Sequence, residues 1–582
     1  MKRILIGLAL AGIVLASCEK GPVTPLEEVK RMEFSAEFLR PYFKELYDST
    51  GGPLWITQPN WMEEDFVRDW DIVKINDDFD LGLEVDLSGN GLKGTLPENF
   101  FDLHLSTVHL DNNFLSGELP ENLGGNGCLS SFTAVNNDLS GTIPVALSKS
   151  LLNELDLRDN RFSGEIPEEV KAMSFFRSFD LNPQKEGSGF HLPEKIVPDA
   201  EDVRKLHAFY EAQKPEVQAM LEWSSSDPLE WRGTCFDGNG RLRGLELFDI
   251  DRPVDFSKLN EFTSLKQLCL INTIVEDPMN LDQLTQLEYL IISGAELLRM
   301  PSGLESLKNL RYLDLSRNFI RGEIPGFLNG LTNLEIIDLS DNLFYGKIPV
   351  FDGFRKLRIL ALCDLEHLDS EPLPEWLVNF KNLSCIYMWG SNFTGSLPAS
   401  WKKMNNLLCF DVGENLLTGN VQHYFDDGTL PLLEYVCLGN NYFSGPLPEF
   451  TEKNHLTALG LYRNNFTGEI PESWKNLTLC SDLSLEDNLL TGTIPEWFAD
   501  LTELEEFYVE GNMMAGTLST ALLDNPNCLE WYFENQKNGS LTFPEGTFLN
   551  LKTAERAVHD IHEAKKQEYK AALKAEMLSQ NR

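Results

Sequence analysis

The sequence predicts a solenoid: short parallel strands stacked along one face, an irregular and partly 3-10 helical convex back, and two tandem arrays with caps. Three observations predict it. A Leu-x-Leu alternation recurs about every two dozen residues. An asparagine follows at a fixed offset, at Asn90, Asn113, Asn137 and Asn160 in steps of 23, 24 and 23, and again at Asn318, Asn342, Asn415, Asn441, Asn464, Asn488 and Asn512. A Gly-x-Ile-Pro element closes the unit, and its proline survives in copies from Pro97 to Pro495.

Each part of the unit has a physical task. Leu-x-Leu puts one strand face inward at a period of two, and a single coil cannot bury its apolar edges without neighbours. Where the chain turns inside the coil, backbone groups would be orphaned. A buried asparagine, with two donors and an acceptor, can satisfy them and reach the next coil. Glycine then allows a tight turn, and proline supplies an extended residue lacking a donor. Proline at this spacing excludes a leucine-rich helical protein.

The asparagine series stops at Asn160 and resumes at Asn318, and two cap-like signatures fall between. The segment 175–193 shares an aromatic strand, Gln-Lys, Gly-Ser and a closing proline with the segment 528–544, so both read as C-terminal caps. Trp55, Trp61 and Trp70 precede the first array, as Trp223 and Trp231 precede the second, and these read as N-terminal caps over open solenoid ends. The expected organisation is a first capped module at 46–195, linker helices and a second N-terminal cap at 196–241, a second module at 242–550, and a polar helical tail at 551–582. The linker helix pair is expected over Glu201–Trp223, broken at Pro215. Ile250, Thr273, Ala295, Leu365 and Ser391 stand at asparagine positions in degenerate units.

The motif is complete from Leu152 to Pro167, Leu310 to Pro325, Leu334 to Pro349 and Leu456 to Pro471. It resembles the plant-type leucine-rich repeat, with its Leu-x-Gly-x-Ile-Pro, which is also found in bacterial surface lipoproteins. The resemblance implies a leucine-rich repeat solenoid, an α/β-type superhelix whose concave sheet binds ligand.

The N-terminus carries a second signature. Lys2 and Arg3 precede an apolar run from Ile4 to Ala16, shorter than the roughly 20 residues a membrane-spanning helix needs. It reads as a secretory leader. Leu15-Ala16-Ser17-Cys18 resembles the lipobox of bacterial lipoproteins. That resemblance implies a signal peptide at 1–17, acyl chains on Cys18 that hold the protein on a membrane, and a tethered segment at 18–45. Glu19, where an inner-membrane lipoprotein often has Asp, favours the outer membrane and the cell surface.

Composition narrows the function. The 582 residues carry 90 acidic against 49 basic side chains, a net charge of −41, so a nucleic-acid partner is excluded on electrostatic grounds. Nothing points to an enzyme: there is no nucleophile elbow, phosphate loop or dinucleotide fingerprint. No cofactor and no metal are expected. His559 and His562 lack the glutamate of a metalloprotease motif. Cys385 and Cys409 take the same register on adjacent strands, about 4.8 Å apart, within disulfide reach, with Cys363 and Cys437 nearby; unpaired, shielded thiols are the default reading.

The strand register also picks out a binding face. Side chains beside the inward leucines point away from the concave sheet. In the second array these include Tyr289, Tyr312, Tyr387, Trp389, Tyr435, Tyr462 and Tyr508, with Asp314, Asp338, Asp411, Glu414, Glu486, Asp487 and Glu510 among them. The expected ligand contacts are Tyr387, Trp389, Asp411, Glu414, Tyr435, Tyr462, Glu486 and Tyr508, since exposed rings on a fixed backbone anchor a ligand at low entropic cost. Such a face suits a protein or peptide ligand, and equally a glycan stacking on rings. The first array offers Asp86, His109, Thr133, Asp156 and Arg158, small and polar, and reads as a spacer. The expected function is a non-enzymatic, receptor-like or adhesin-like surface protein, with carbohydrate binding as the alternative.

Overall fold

The computed structural model describes residues 36–56, 73–75 and 83–544, apart from 104, 126–128, 151, 153, 174–178, 186–187, 191–195, 277, 426–428, 431, 451–455, 526–530, 534 and 538. The predicted leader at 1–17, Cys18, Trp61, Trp70 and the segment 551–582 with His559 and His562 lie outside the described residues.

The Leu-x-Leu segments form strands that stack side by side. One sheet has six strands, from Val73–Ile75 through Leu83–Asp86, Leu105–His109, Ser131–Thr133 and Glu154–Asp156 to Phe179–Asp180; another has fourteen, from Thr234–Phe236 to Trp531–Tyr532. The entering strand of each sheet pairs antiparallel with the next, and every later pair is parallel. Register keeps equivalent residues opposite one another, so Leu313 faces Ile337, and Ile337 faces Leu360. These inward side chains join one continuous buried cluster from Leu206 to Leu541, and a second cluster from Leu39 to Phe190 serves the shorter sheet. Each fully buried leucine contributes roughly 1.5–3 kcal/mol. The chain is therefore a leucine-rich repeat solenoid.

The asparagines tie coil to coil. Asn464 donates from Nδ2 to the carbonyl of Leu438 in the preceding coil at 2.9 Å and to its own Leu461 at 3.2 Å, while its Oδ1 accepts the N–H of Phe443 at 2.9 Å. Asn113, Asn137, Asn160, Asn318, Asn342, Asn415, Asn441, Asn488 and Asn512 repeat this scheme, and Asn90 donates its N–H to Asn113 at the first rung. Degenerate coils keep part of it. Thr273 donates its hydroxyl to Leu247, and Ser391 to Leu362 while accepting the N–H of Leu365. The residue before the rung is left-handed in coil after coil, as at Asn112, Asp159, Arg317, Glu414, Asn440 and Asp487. This conformation turns the strand end into the coil, and Asn and Asp tolerate it best among residues with a Cβ.

Behind each rung the chain forms the convex side. Pro97, Pro144, Pro325, Pro398, Pro471 and Pro495 stand at the N-caps of single 3-10 turns, such as Glu98–Asp102 and Glu472–Asn476. The extended residues before them pair as well. Thr394–Gly395, Leu416–Gly419, Tyr442–Pro446, Asn465–Gly468 and Leu489–Leu490 make a five-stranded flanking sheet where the sequence suggests only an extended segment.

Helices Ala200–Ala212 and Pro215–Leu221 precede the second array, with Pro215 at the first turn of the second helix. Fully buried Asp202 fastens the first helix to the entering strands: it pairs with Arg241 at 2.7 Å and accepts the N–H of Leu242 at 3.0 Å. Trp223 and Trp231 stack at 5.3 Å beside it, and each indole N–H meets a backbone carbonyl.

Candidate ligand-binding face

The outward strand residues of the fourteen-stranded sheet lie in rows. One row runs Ile359, Cys385, Cys409, Tyr435, Ala458; the next runs Ala361, Tyr387, Asp411, Cys437, Gly460. Trp389 and Tyr462 follow two residues beyond Tyr387 and Gly460.

The aromatic platform expected at the centre of this face is not exposed. Tyr387, Trp389 and Tyr435 retain only 3%, 4% and 4% of their accessible surface, packed with Cys363, Cys385, Cys409, Cys437, Ile359 and Ala361 in a cluster separate from the core. The cause is neighbour size. Small residues leave space above the sheet, and rings fold into it. At Gly439 an added Cβ would lie 2.3 Å from the Tyr462 ring, so that ring occupies the space over a bare backbone. Ring faces used in this way are unavailable to a ligand, and these three residues stabilise the sheet.

The remaining predicted contacts differ among themselves. Asp411 accepts the N–H of Gly413 at 2.8 Å and the hydroxyl of Tyr435 at 3.3 Å. Burial pushes its carboxyl up to about 7 against those hydrogen bonds. Glu414 sits at a left-handed turn at the rim, partly exposed. Tyr462, Glu486 and Tyr508 are partly exposed on neighbouring coils, which gather them at the C-terminal end of the face. Tyr508 stacks on Tyr532 with centroids 5.2 Å apart and planes 1° from parallel, and its hydroxyl donates to Glu506 at 3.2 Å. Burial, then the charge of Glu510, raises Glu486 to about 8. Tyr532 and Glu506 escape the sequence reading. Tyr532 lies in a segment read as a cap, although outward alternation continues through it.

Toward the other end the face is ionic. Lys266 pairs with Glu288 at 3.1 Å and Arg311 with Glu335 at 2.8 Å, and Arg311 also donates to the Tyr289 hydroxyl at 3.1 Å. Asp314 and Asp338 oppose one another on adjacent strands, both fully buried, each accepting the N–H of a serine two residues on at 2.8 Å. In the six-stranded sheet Arg158 chelates Asp156, and His109 bonds Thr133 at 2.9 Å, so that polar surface is largely self-paired. Among the described residues no group of three or more His, Cys, Asp or Glu is placed to hold a metal ion, and no helix is long and apolar enough to cross a membrane.

Family patterns match the repeats in this chain. The family pattern described as Leucine Rich Repeat matches residues 104–126, 151–173 and 455–477, and Leucine Rich repeats (2 copies) matches 308–353. Leucine-rich repeats are thus present in both arrays. Receptor like protein 22 of Arabidopsis thaliana is 28% identical over 171 residues, covering 28% of this chain and 21% of that protein. Receptor-like protein 35 of the same plant is 25% identical over 316 residues, covering 40% and 33%. The chain spans between about a fifth and a third of the length of these relatives. Among solved structures, the Arabidopsis receptor kinase HAESA in complex with the peptide hormone IDA and a co-receptor is 21% identical, covering 88% of this chain and 83% of that one, with a TM-score of 0.40.

Proposed function

We propose that the chain is a non-enzymatic, receptor-like surface protein that binds a protein or peptide through the concave face of its second array. The observation that carries this reading is the partly exposed stack of Tyr508 on Tyr532, with Glu486 on the neighbouring coil, on a sheet fixed by the asparagine rungs. A rigid sheet loses little conformational entropy when it meets a ligand, so most contact energy appears as affinity. Stacked tyrosines with the Glu506 carboxylate held against one of them suit a peptide with apolar and basic side chains. Likeness to plant receptor-like proteins supports the same role.

In this reading residues 46–195 and 242–550 act as two capped arrays. The first, with its self-paired polar surface, is a spacer. Lys2, Arg3, the apolar run and Leu15-Ala16-Ser17-Cys18 support export, lipidation at Cys18 and placement on the outer membrane facing outward.

The test is binding of the purified chain to peptide and glycan arrays, with Tyr508→Ala in parallel. A peptide signal that falls at least tenfold in the variant is the expected result. Signal on the glycan array alone replaces the peptide reading with a carbohydrate one, and a peptide signal untouched by Tyr508→Ala moves the site off this face.

A further inference from the structure

We propose that Cys385 and Cys409 are an oxidative modification site, closing to a disulfide between two adjacent coils when the chain folds in the presence of a low-molecular-weight disulfide. They lie at the same register position of adjacent parallel strands, Cys385–Tyr387 and Cys409–Asp411. Neighbouring strands are about 4.8 Å apart, inside the Cα separation of roughly 4.4–6.8 Å that disulfides span. Both thiols leave the sheet on one face, because Ile386 and Phe410 beside them enter the core.

This pairing is specific among the cysteines of the described residues. Cys437 opposes Asp411 and Gly460, Cys269 opposes Glu246 and Ile291, and Cys235 opposes Gly244. Cys363 and Cys480 lie outside the strand pairs. Among the described residues, only Cys385 and Cys409 meet in register.

The two thiols are also unequal. Hydrogen bonding with Cys409, and secondarily contact with Ser384 and the charge of Arg358, hold Cys385 below the usual thiol range despite its burial. Burial, together with Cys385, pushes Cys409 well above it. While the strands dock and before burial is complete, either thiol can ionise and lead. With Cys385 leading, its thiolate attacks one sulfur of R–S–S–R, forming Cys385–S–S–R and expelling RS⁻. Cys409 then loses its proton and attacks the Cys385 sulfur, forming the cross-link and expelling the second RS⁻. Two protein thiols are oxidised by two electrons, and the small disulfide is reduced to two thiols. Tyr387, Trp389 and Tyr435 cover the pair in the folded sheet, so the exchange belongs to the docking of these strands during folding.

The experiment refolds the chain in a buffer of oxidised and reduced glutathione, alkylates remaining thiols in denaturant, and maps peptides without reductant by mass spectrometry. The expected product is a peptide pair joined through Cys385 and Cys409, lighter by two hydrogens than its separate halves and absent from Cys385→Ser and Cys409→Ser. In a Cys363→Ser, Cys437→Ser double variant, which keeps both partners, the same pair persists. Recovery of Cys385 and Cys409 fully alkylated, or cross-linked instead to Cys363 or Cys437, overturns the proposal. Neither outcome bears on ligand binding, which is measured separately on the arrays.

Discussion

The side-chain amide of Gln536 donates to the carbonyl of Val509 at 3.0 Å, the bond that an asparagine makes to the preceding coil elsewhere in the array. It donates also to Phe533 and accepts the N–H of Met514. Gln184 does the same at the end of the shorter sheet, with Leu157, Leu181 and Phe162 as partners. The following lysines reach two coils back. Lys537 donates to the carbonyl of Asn488 at 3.0 Å, and Lys185 to that of Asn137. The Gln-Lys pair shared by the two segments therefore closes the last rung and anchors it to the ladder.

Gln536→Ala leaves the carbonyls of Val509 and Phe533 and the N–H of Met514 without their side-chain partner. The expected cost is about 1–3 kcal/mol, concentrated in the last coil. Hydrogen exchange should accelerate around Met514 and Leu541 and remain unchanged near Leu313. Uniform acceleration along the array would show that the cap has no local role.

Inside the ladder the same substitution should cost more. Asn464→Ala strips Leu438, Leu461 and Phe443 of partners in a place water does not reach, since Asn464 is only 7% exposed. A loss on the order of 2–4 kcal/mol follows from leaving two or three buried groups unsatisfied. Asn464→Asp should be nearly as harmful, because a carboxylate supplies no donor to the carbonyls of Leu438, Leu461 and Tyr462. Urea unfolding midpoints measure both. A loss below about 0.5 kcal/mol for either variant contradicts the assigned role.

The aromatic residues of the concave face divide by burial, and two alanine variants separate the classes. Trp389→Ala opens a cavity in the central cluster and should destabilise by about 3–5 kcal/mol. Tyr508→Ala loses a partly exposed ring stacked on Tyr532 and should cost about 1 kcal/mol while removing most ligand affinity. Thermal melts beside array binding read both effects. Equal melting temperatures for the two variants would contradict the burial of Trp389.

Much of this architecture can be read from residue spacing, because each coil's strand, turn and proline respond to local constraints that repeat in the sequence. The site is less readable. Outwardness follows from period-two alternation, which places Tyr387, Trp389 and Tyr508 alike off the core side. Exposure depends on lateral neighbours in other coils, and these are small around Trp389 and at Gly439 beneath Tyr462, where rings fold flat. The flanking sheet at Leu416–Gly419 and Tyr442–Pro446 is hidden for a similar reason, since its pairing depends on the lateral offset between coils. Gln184 and Gln536 stand in a visible motif, but their geometry relative to the preceding coil reveals the function.

Asp314 and Asp338 give the last expectation, a pH dependence of stability. The carboxyls oppose one another in register, fully buried, and Asp314 Oδ2 has no hydrogen-bond partner among the described residues. Burial first, and the facing Asp338 second, push Asp314 from 3.8 to about 8; the Ser316 N–H and the Arg317 charge oppose this. The folded chain thus keeps a proton that the unfolded chain releases. Between about pH 4 and pH 8 unfolding sheds that proton, so stability falls as pH rises, by at most about 1.4 kcal/mol per pH unit for one proton, and levels off above. Glu246 and Asp411, raised to about 7, and Glu486, raised to about 8, act in the same direction. Asp314→Asn keeps an oxygen for the Ser316 N–H and carries no charge, so the difference between the two chains isolates the pair. Urea midpoints should coincide near about pH 4 and diverge in favour of the variant toward pH 8; parallel curves across that range would mean the two carboxylates are separately solvated.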